Sequence, residues 1–146
     1  MFDRWYDDIE VGDRASYPGY TITEAHVVQF AGIVGDHYPL HMDAEFAAKS
    51  RFGQRIAHGF LVLSASSGMF PMLPGVVVAF YGMDGVRFLA PTFLGDTLRI
   101  DQEVVDKRDK GEGGVVSVRQ EILNQRDETV CVATLHILIA REPAEA

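Results

Sequence analysis

The sequence has almost no cysteine and no long apolar run, and both absences narrow what the chain can be. Cys131 is the single cysteine among 146 residues, so no intrachain disulfide can form and nothing implies secretion. No apolar run approaches the ~20 residues that span a bilayer. The acidic first segment, MFDRWYDDIEVGD, lacks the basic and then apolar pattern of a signal peptide. We therefore expect a cytoplasmic protein with no membrane partner.

Positive charge is scarce as well. The chain carries 13 Lys and Arg against 21 Asp and Glu, a formal net charge of −8 at pH 7. Because phosphate neutralisation supplies most of the affinity of nucleic-acid binders, this balance argues against a nucleic-acid partner. An anionic small ligand can still bind a local basic patch. Lys49, Arg51 and Arg55 form one candidate, with a solvated basic surface as the alternative.

The length suits one domain, residues 1–146, and no internal repeat or low-complexity segment divides it. The final segment REPAEA, about residues 141–146, is expected to be a loose tail. Near the start, a short strand is expected around residues 14–17, and Pro18-Gly19 is expected to form a turn after it.

A first helix is predicted after that turn. Thr23 can cap it, and Glu24 lies in its first turn, where the helix dipole favours negative charge. Apolar residues follow Val27 at i+3, i+4 and i+7, which gives one apolar face. Gly35 stands where a left-handed residue commonly ends a helix. The helix therefore delivers the chain directly into Asp36.

The stretch GDHYPLHMD, residues 35–43, holds Asp36 and His41 five positions apart with Pro39 between them. Proline pushes the residue before it towards extended geometry, so we expect a stiff loop rather than a helix. Asp43 can then cap a short helix over residues 44–49. The loop thus places a carboxyl group and an imidazole on one braced segment.

The segment from His58 to Phe70, HGFLVLSASSGMF, is apolar or small on all sides, which is typical of a buried helix. After it the apolar pattern changes to a period of two. Strands are expected over residues 76–88, 97–107, 116–122 and 129–140. Gly82 and Gly85 indicate a bulge or bend in the first of these strands.

A single buried helix needs apolar cover on most of its surface, and a curved antiparallel sheet supplies it. The expected fold class is therefore α+β, a single hot-dog domain in which the sheet wraps around a long central helix. An additional helix–loop overhang carries Asp36 and His41. Such a sheet has free edges, and joining two sheets edge to edge hides them. We expect a homodimer or a higher oligomer built from dimers.

Asp36 and His41 form the candidate catalytic pair, although either residue alone is more commonly a solvated loop side chain. Together, a carboxylate and an imidazole can hold one water and move protons in either direction near neutral pH. Gly59, in the first turn of the buried helix, offers a backbone N–H as a candidate oxyanion donor; the alternative is that it only permits close packing. Ser67 either bonds back to a helix carbonyl or positions a group of the site.

These residues resemble a known family. The run Asp36-x-x-Pro39-Leu40-His41, then Ala47, Ile56-Ala57-His58-Gly59 and Ser67-Gly68, is similar to the MaoC-like dehydratases, which include the (R)-specific enoyl-CoA hydratases. The resemblance extends over nearly the whole chain. It implies a hydro-lyase of fatty acid metabolism that converts trans-2-enoyl-CoA reversibly to (R)-3-hydroxyacyl-CoA. Coenzyme A would be present only as part of the acyl-CoA substrate, with no other cofactor.

The resemblance also implies roles for the residues. Asp36 and His41 hold the water that adds to C3 and handle the proton delivered to C2; which of them is the base stays open. Gly59 polarises the thioester carbonyl and Ser67 supports the site. The family's asparagine between Asp and Pro is Tyr38 here, which puts the usual loop hydrogen bonds and the acyl specificity in question.

Several further side chains are candidates for binding the substrate. The candidate substrate-binding residues are Tyr38, Phe30, Arg51 and Arg55, with the arginines placed for the phosphates of coenzyme A. Candidates for the acyl pocket are Phe30, Tyr81 and Phe88, although aromatic residues at such spacing are commonly plain core.

The remaining polar residues are expected to be structural. His37 and His41 are four apart, but Pro39 prevents the helical geometry that would align them, so we expect no metal site. The same structural interpretation applies to His58 at the start of the buried helix, His26, His136 and Cys131, the last as a small buried hydrophobe.

Two other functions stay open. A hot-dog thioesterase is the main rival, but many of those enzymes place an acidic residue on the central helix, and no Asp or Glu occurs between His58 and Phe70. A non-catalytic acyl-CoA-binding protein is the other alternative, and the intact Asp36–His41 pair argues against it.

Overall fold

An antiparallel sheet of five strands dominates the computed structural model, which describes residues 1–143. In chain order the elements are a 3-10 turn Tyr6–Asp8, β1 Arg14–Thr21, α1 Glu24–Val34, α2 Pro39–Met42, α3 Ala44–Ala48, α4 Gly59–Ser67, β2 Val77–Phe88, β3 Thr97–Asp109, β4 Gly113–Leu123 and β5 Thr129–Ala140. The strands lie in the order β1-β3-β4-β5-β2, so β1 and β2 form the two edges. None of the helices within residues 1–143 is long and apolar enough to cross a membrane.

Helix α4 packs on the inner face of the sheet. Buried side chains alternate along β3, as expected for a strand with one face in the core. Gln102 of β3 lies opposite Gln120 of β4 and donates to it at 2.8 Å, and Gln120 in turn donates to Ser66 of α4 at 3.0 Å. This buried hydrogen-bonded row ties α4 to the middle of the sheet. The predicted α+β hot-dog architecture is confirmed.

Both predicted ends of α1 are confirmed. The Thr23 hydroxyl accepts the His26 N–H at 3.4 Å, and the His26 ring accepts the Thr23 N–H at 3.1 Å, which makes a reciprocal cap. Gly35 ends the helix in the left-handed region with φ of 77°. His26 therefore has a structural role, as expected, and that role is to cap the start of α1.

The segment after Asp36 is not the pure loop that we expected. Pro39 begins the short helix α2, because a proline at the first helical position loses no intrahelical hydrogen bond. The Asp43 N–H closes that turn on the Pro39 carbonyl at 2.8 Å. The Asp43 carboxylate then accepts the Phe46 N–H at 2.9 Å, which confirms the predicted cap of α3.

The predicted turn at Pro18-Gly19 is also wrong. Strand β1 runs through both residues, and its pairing with β3 shifts register between Tyr17 and Tyr20. Gly19 has a φ of 62° at this irregularity. A bulge interrupts the ladder hydrogen bonds, so an edge strand can hold a proline there without ending.

Helix α4 is not covered on every side by its own chain. Leu61, Val62 and Leu63 are buried, but Phe60 is 73% exposed. Strand β2, at the edge of the sheet, also leaves Phe80 and Tyr81 about half exposed. The expectation that the helix is buried all round is therefore wrong for the single chain, and an apolar surface remains along α4 and β2.

Arg141 is held in place, although it falls within the expected loose tail. Its guanidinium pairs with Asp7 at 3.0 Å and with Asp109, and it lies 5.3 Å from the centre of the Tyr6 ring. Its backbone N–H donates to the Glu112 carbonyl. The tail therefore does not begin at residue 141, and residues 144–146 lie outside the described residues.

Candidate functional site

Asp36 is presented to solvent by the end of α1. The left-handed Gly35 turns the chain out of the helix, and the Asp36 carboxylate then accepts the Tyr38 N–H at 3.2 Å. This short-range hydrogen bond is the Asx type that braces turns. The side chain remains exposed, so its carboxylate is available to a ligand.

The position of His41 follows from α2. Its Nδ1 lies 2.8 Å from the backbone oxygen of Ile56. A carbonyl oxygen can only accept, so Nδ1 carries the proton and the neutral ring keeps its lone pair on Nε2. His41 is thus a ring of fixed tautomer with one nitrogen left for a ligand.

His58 is the site residue whose contribution the sequence analysis missed. Its ring stacks on that of His41 with centroids 3.9 Å apart, and its Nε2 lies 2.9 Å from the backbone oxygen of Asp36. It is 2% exposed, and its Nδ1 has no hydrogen-bond partner among the described residues. The one sequence signal for His58 was its position directly before Gly59. That position is compatible with a structural role and with a functional role, so it does not distinguish them.

Asp36, His41 and His58 are the group within residues 1–143 that could hold a metal, since one ligand atom of each lies within 4.8 Å of the others. The two imidazole rings, however, are only 32° from parallel at 3.9 Å. A ring nitrogen binds a metal in the ring plane at ~2 Å, and stacked rings present their lone pairs side by side rather than towards one point. This donor set fits a metal poorly, and the expected absence of a metal site stays a prediction.

Gly59 is the first residue of α4. His58, at the N-cap, makes no capping hydrogen bond with its side chain, so it leaves the N–H groups of the first turn free of that partner. The Phe88 ring packs against the glycine so closely that a Cβ there would lie 2.7 Å from its Cζ. The structure thus supports both interpretations of Gly59, since close packing requires the glycine and its N–H stands at a helix N-terminus.

The structure brings the predicted pair and Gly59 to one pocket. Asp36, His41 and Gly59 all line it, together with Phe30, Val34, His58 and Phe60. Phe30 packs on His58 with ring centroids 5.2 Å apart. The carboxylate-bearing Asp36, the imidazole-bearing His41 and the first residue of α4 therefore border the same small space, and Phe30 forms part of its wall.

Two further pockets adjoin this one, and Phe60 borders all three. The second shares His41 and Gly59 and extends to Arg51 and Phe88. The third is an apolar groove between α4 and the sheet, and its lining includes Phe60, Leu63, Ser67, Phe70, Phe80, Met83 and Leu135. Gly59 thus lines a pocket that also reaches Arg51, and the apolar groove shares only Phe60 with the pocket of Asp36.

Four other predicted residues do not line the pocket of Asp36. Arg55 is engaged by Glu24 at 2.9 Å, and Lys49 lines a separate surface pocket beside acidic residues. Ser67 donates to the Ser64 carbonyl and lies eight residues after Gly59, about 12 Å along the helix. Tyr81 lies on β2 and lines none of the three pockets just described. For these residues the sequence spacing gave no information about tertiary position.

Tyr38 lies at the outer margin of the pair. Its ring meets His41 and Phe46 edge-on, each with centroids 6.2 Å apart, and it is 55% exposed. Its backbone N–H braces Asp36 as described, an interaction that any residue except proline can make. The substitution of asparagine by tyrosine therefore keeps the backbone brace and adds an aromatic ring beside His41.

His136 and Cys131 do not line the pocket of Asp36. His136 bridges Ser117 and Asp84 at 2.9 Å each on the sheet. Burial raises the pKa of the Cys131 thiol to about 11, which agrees with the expected small buried hydrophobe and keeps the thiolate form rare at neutral pH.

Comparison with known proteins matches this chain to one family. The family model for the MaoC like domain matches residues 10–125. That range contains Asp36, His41, His58 and Gly59, so the match covers the whole candidate site.

Two relatives illustrate the proteins whose sequences are similar to this chain. Protein MaoC of Klebsiella aerogenes is 43% identical over 101 residues, which is 68% of this chain but only 30% of that protein. The (R)-specific enoyl-CoA hydratase of Aeromonas caviae is 35% identical over 102 residues, covering 69% of this chain and 75% of that enzyme. The chain therefore spans under one third of the first relative and about three quarters of the second.

Solved structures agree on the fold. A monoamine oxidase regulatory protein from an Archaeoglobus species superposes with a TM-score of 0.90 at 39% identity and covers 96% of both chains. A Mycobacterium tuberculosis protein with a double hot-dog fold gives a TM-score of 0.85 at 23% identity. The superposition includes 98% of this chain but only 46% of that protein. The second likeness shows the fold alone, in a chain about twice as long.

Proposed function

Because the chain belongs to the MaoC-like family, we propose that it catalyses the reversible hydration of trans-2-enoyl-CoA to (R)-3-hydroxyacyl-CoA. The observation that carries this proposal is the single pocket lined by Asp36, His41 and Gly59. The hydratase named among the relatives supports the reaction class and the (R) configuration. An acyl-CoA thioester is the proposed substrate, within fatty acid metabolism.

In the proposed mechanism the Asp36 carboxylate and Nε2 of His41 hold one water between them. The His41 N–H bond to the Ile56 carbonyl keeps that lone pair on Nε2, so both groups accept hydrogen bonds from the water. The water oxygen bonds to C3 while one of its protons passes to the pair, and the pair delivers a proton to C2. Hydration then leaves both groups in their starting states, as a reversible reaction requires.

The proposed role of Gly59 is to stabilise the negative charge that develops on the thioester oxygen. Addition at C3 pushes electrons into the thioester carbonyl, which gains enolate character in the transition state. A backbone N–H at a helix N-terminus binds such an oxygen more strongly than it binds the ground-state carbonyl. This differential binding is what lowers the barrier.

The substrate would extend in two directions from Gly59. Arg51 stands on the pocket that continues past Phe88, and its cation suits a phosphate of coenzyme A. Phe30 bounds the other side, next to the pair. Since the chemistry is proton transfer at a carbon next to a thioester, the proposed reaction uses coenzyme A only as part of the substrate.

We also propose that the protein works as a homodimer or as an oligomer built from dimers. Strand β2 is an edge of the sheet and leaves Val78, Phe80 and Tyr81 about half exposed, and Phe60 of α4 is exposed beside them. Edge strands with apolar side chains need cover. The Mycobacterium tuberculosis protein described above contains two hot-dog units in one chain. This arrangement supports a second copy of the present chain as the cover for its exposed edge. The proposed location is the cytoplasm.

The test is a hydration assay over a panel of enoyl-CoA esters, from crotonyl-CoA to longer and branched chains, with chiral analysis of the product. Loss of the absorbance of the conjugated thioester reports hydration. The Asp36→Asn variant keeps an oxygen that accepts the Tyr38 N–H, so it should fold normally. Its rate should fall about 10²–10⁴-fold, the size of a lost general acid or base.

The same assay separates the two rival functions. Release of free thiol from acyl-CoA without hydration would favour a thioesterase. Binding of acyl-CoA with neither reaction would favour a non-catalytic protein. Full hydratase activity in the Asp36→Asn variant, with a matched melting temperature, would reject the proposed role of the pair.

A further inference from the structure

We propose that His58 is a positioning residue that holds Asp36 and His41 in one arrangement. The expected effects of His58 variants on the reaction rate rest on the proposed hydratase function. One side chain touches both members of the pair, through a hydrogen bond to the backbone of Asp36 and through stacking on the ring of His41.

The hydrogen bond fixes where the chain passes after α1. The Asp36 carbonyl can only accept, so Nε2 of His58 donates and Nδ1 carries no proton. This bond joins two segments 22 residues apart, whereas the bond from Tyr38 to the Asp36 carboxylate is local. His58 therefore ties Asp36 to the start of α4, next to Gly59.

Stacking fixes the imidazole of His41. The Ile56 carbonyl holds one edge of that ring through Nδ1, but a single hydrogen bond leaves the ring free to rotate about it. The His58 ring lies 3.9 Å away and supports its face, and Phe30 packs on His58 in turn. The ring plane of His41, and with it the direction of the Nε2 lone pair, is thereby set.

Burial separates this role from a direct chemical one. His58 is 2% exposed and its Nδ1 is enclosed without a partner among the described residues. A proton on that nitrogen would be a buried donor with no acceptor, which is unfavourable. The residue thus acts through the pair, as a neutral donor and a stacking surface, and not by exchanging protons with the substrate.

Two variants separate the two contacts. His58→Gln retains an amide N–H at about the reach of Nε2 but loses the ring, and His58→Phe retains a ring but loses the donor. A displacement of about 1 Å in a catalytic group costs on the order of 10²-fold in rate. We expect kcat to fall in both variants, by up to that order and with little change in KM, because each variant removes one of the two contacts that position the pair. The pH profile of the remaining activity should keep its shape.

His37→Gln and His37→Phe are the matched controls, since His37 is the exposed neighbour of Asp36. They should leave kcat unchanged. No loss of kcat in either His58 variant, or a loss that appears only in KM, with unchanged melting temperatures, would overturn the proposal. A His58 variant whose pH profile lacks one limb of the wild-type profile would do so as well, because the missing limb would mean that His58 itself titrates during the reaction.

A spectroscopic readout needs no activity and no variant. In protein labelled with ¹⁵N at histidine, the imidazole resonances of His58 should show the Nε2–H tautomer and those of His41 the Nδ1–H tautomer. The opposite tautomer at His58 would overturn the proposal even if the enzyme is active. Conversely, an inactive wild-type protein with these tautomers would reject the proposed function and leave the positioning contacts established.

Discussion

The Phe88 ring stands where the side chain of any residue other than glycine at position 59 would begin. A Cβ on Gly59 would lie 2.7 Å from Cζ of Phe88 and below 3 Å from both neighbouring ring carbons. Phe88 is 49% exposed, so its ring can swing aside. Gly59 and Phe88 both line one pocket. Their close approach therefore constrains the shape of that pocket more than it constrains the fold.

Gly59→Ala should consequently fold but lose activity. The displaced Phe88 ring should lower the free energy of unfolding by about 1–3 kcal/mol, the usual range for overpacking. The new methyl group should crowd the approach of a thioester to the Gly59 N–H and lower kcat/KM on the order of 10²-fold, as loss of an oxyanion donor does. Hydration assays measure the loss of activity, and thermal melts measure the loss of stability separately.

The double variant Gly59→Ala with Phe88→Ala tests the cause. Removing the ring should recover the stability that the clash costs without recovering activity, while Phe88→Ala alone should remain substantially more active than Gly59→Ala. Wild-type activity in Gly59→Ala would contradict an oxyanion role for this N–H.

Local signals in the sequence predicted much of the fold. Thr23 and Gly35 ended α1 where expected, and β5 occupies residues 129–140 as predicted. These features depend on neighbours a few residues away, so a sequence pattern contains the necessary information. Pro39 shows the limit, since the same residue can brace a loop or begin a helix, and only the Asp43 N–H bond to it distinguishes the two.

The candidate site was predicted less completely, because its parts meet across long sequence distances. The motif gave Asp36, His41 and Gly59, which the structure brings to one pocket. It did not give the stacking of His58 on His41, which depends on how α2 packs against the start of α4. Nor did the clustering of basic residues that made Arg55 a candidate for phosphate indicate that Glu24 of α1 engages its guanidinium.

Asp96 should contribute stability that depends on pH. Burial opposes its ionisation, but hydrogen bonds from Arg126, Gln125 and the Phe93 N–H outweigh this and lower the pKa of the carboxyl group. A depressed pKa means that the native state favours the charged form. The stabilisation is therefore fully present above the unfolded value of about 4 and is lost as the pH falls through the folded pKa.

Asp96→Asn should lower the free energy of unfolding at pH 7 by about 2 kcal/mol, the range for a hydrogen-bonded charge, with some reduction because Arg126 is 48% exposed. Urea titrations at pH 7 and at pH 3 measure the difference, which should shrink at the lower pH. Asp84→Asn, at an 81% exposed carboxyl, is the control and should change stability little at pH 7. A constant difference for Asp96→Asn at both pH values would contradict the pKa argument.

The apolar edge formed by β2 should mediate self-association. Phe80 lies on this edge strand, is 49% exposed and lines the groove that reaches Phe60 of α4. A second copy placed there would cover both rings. Phe80→Asp would put a charge into that contact, and burying an unpaired carboxylate is strongly unfavourable. We expect light scattering after size exclusion to give a dimer or larger species for the wild type and a shift towards monomer for Phe80→Asp.

Ile33→Asp is the matched control for that experiment. Ile33 is more exposed than Phe80, at 81%, but lies on α1 and lines none of the three pockets around α4. The same change of charge there should leave the molar mass of the wild type unaltered. An equal shift in both variants would mean that added charge alone disperses the oligomer, and a monomeric wild type would remove β2 as the interface.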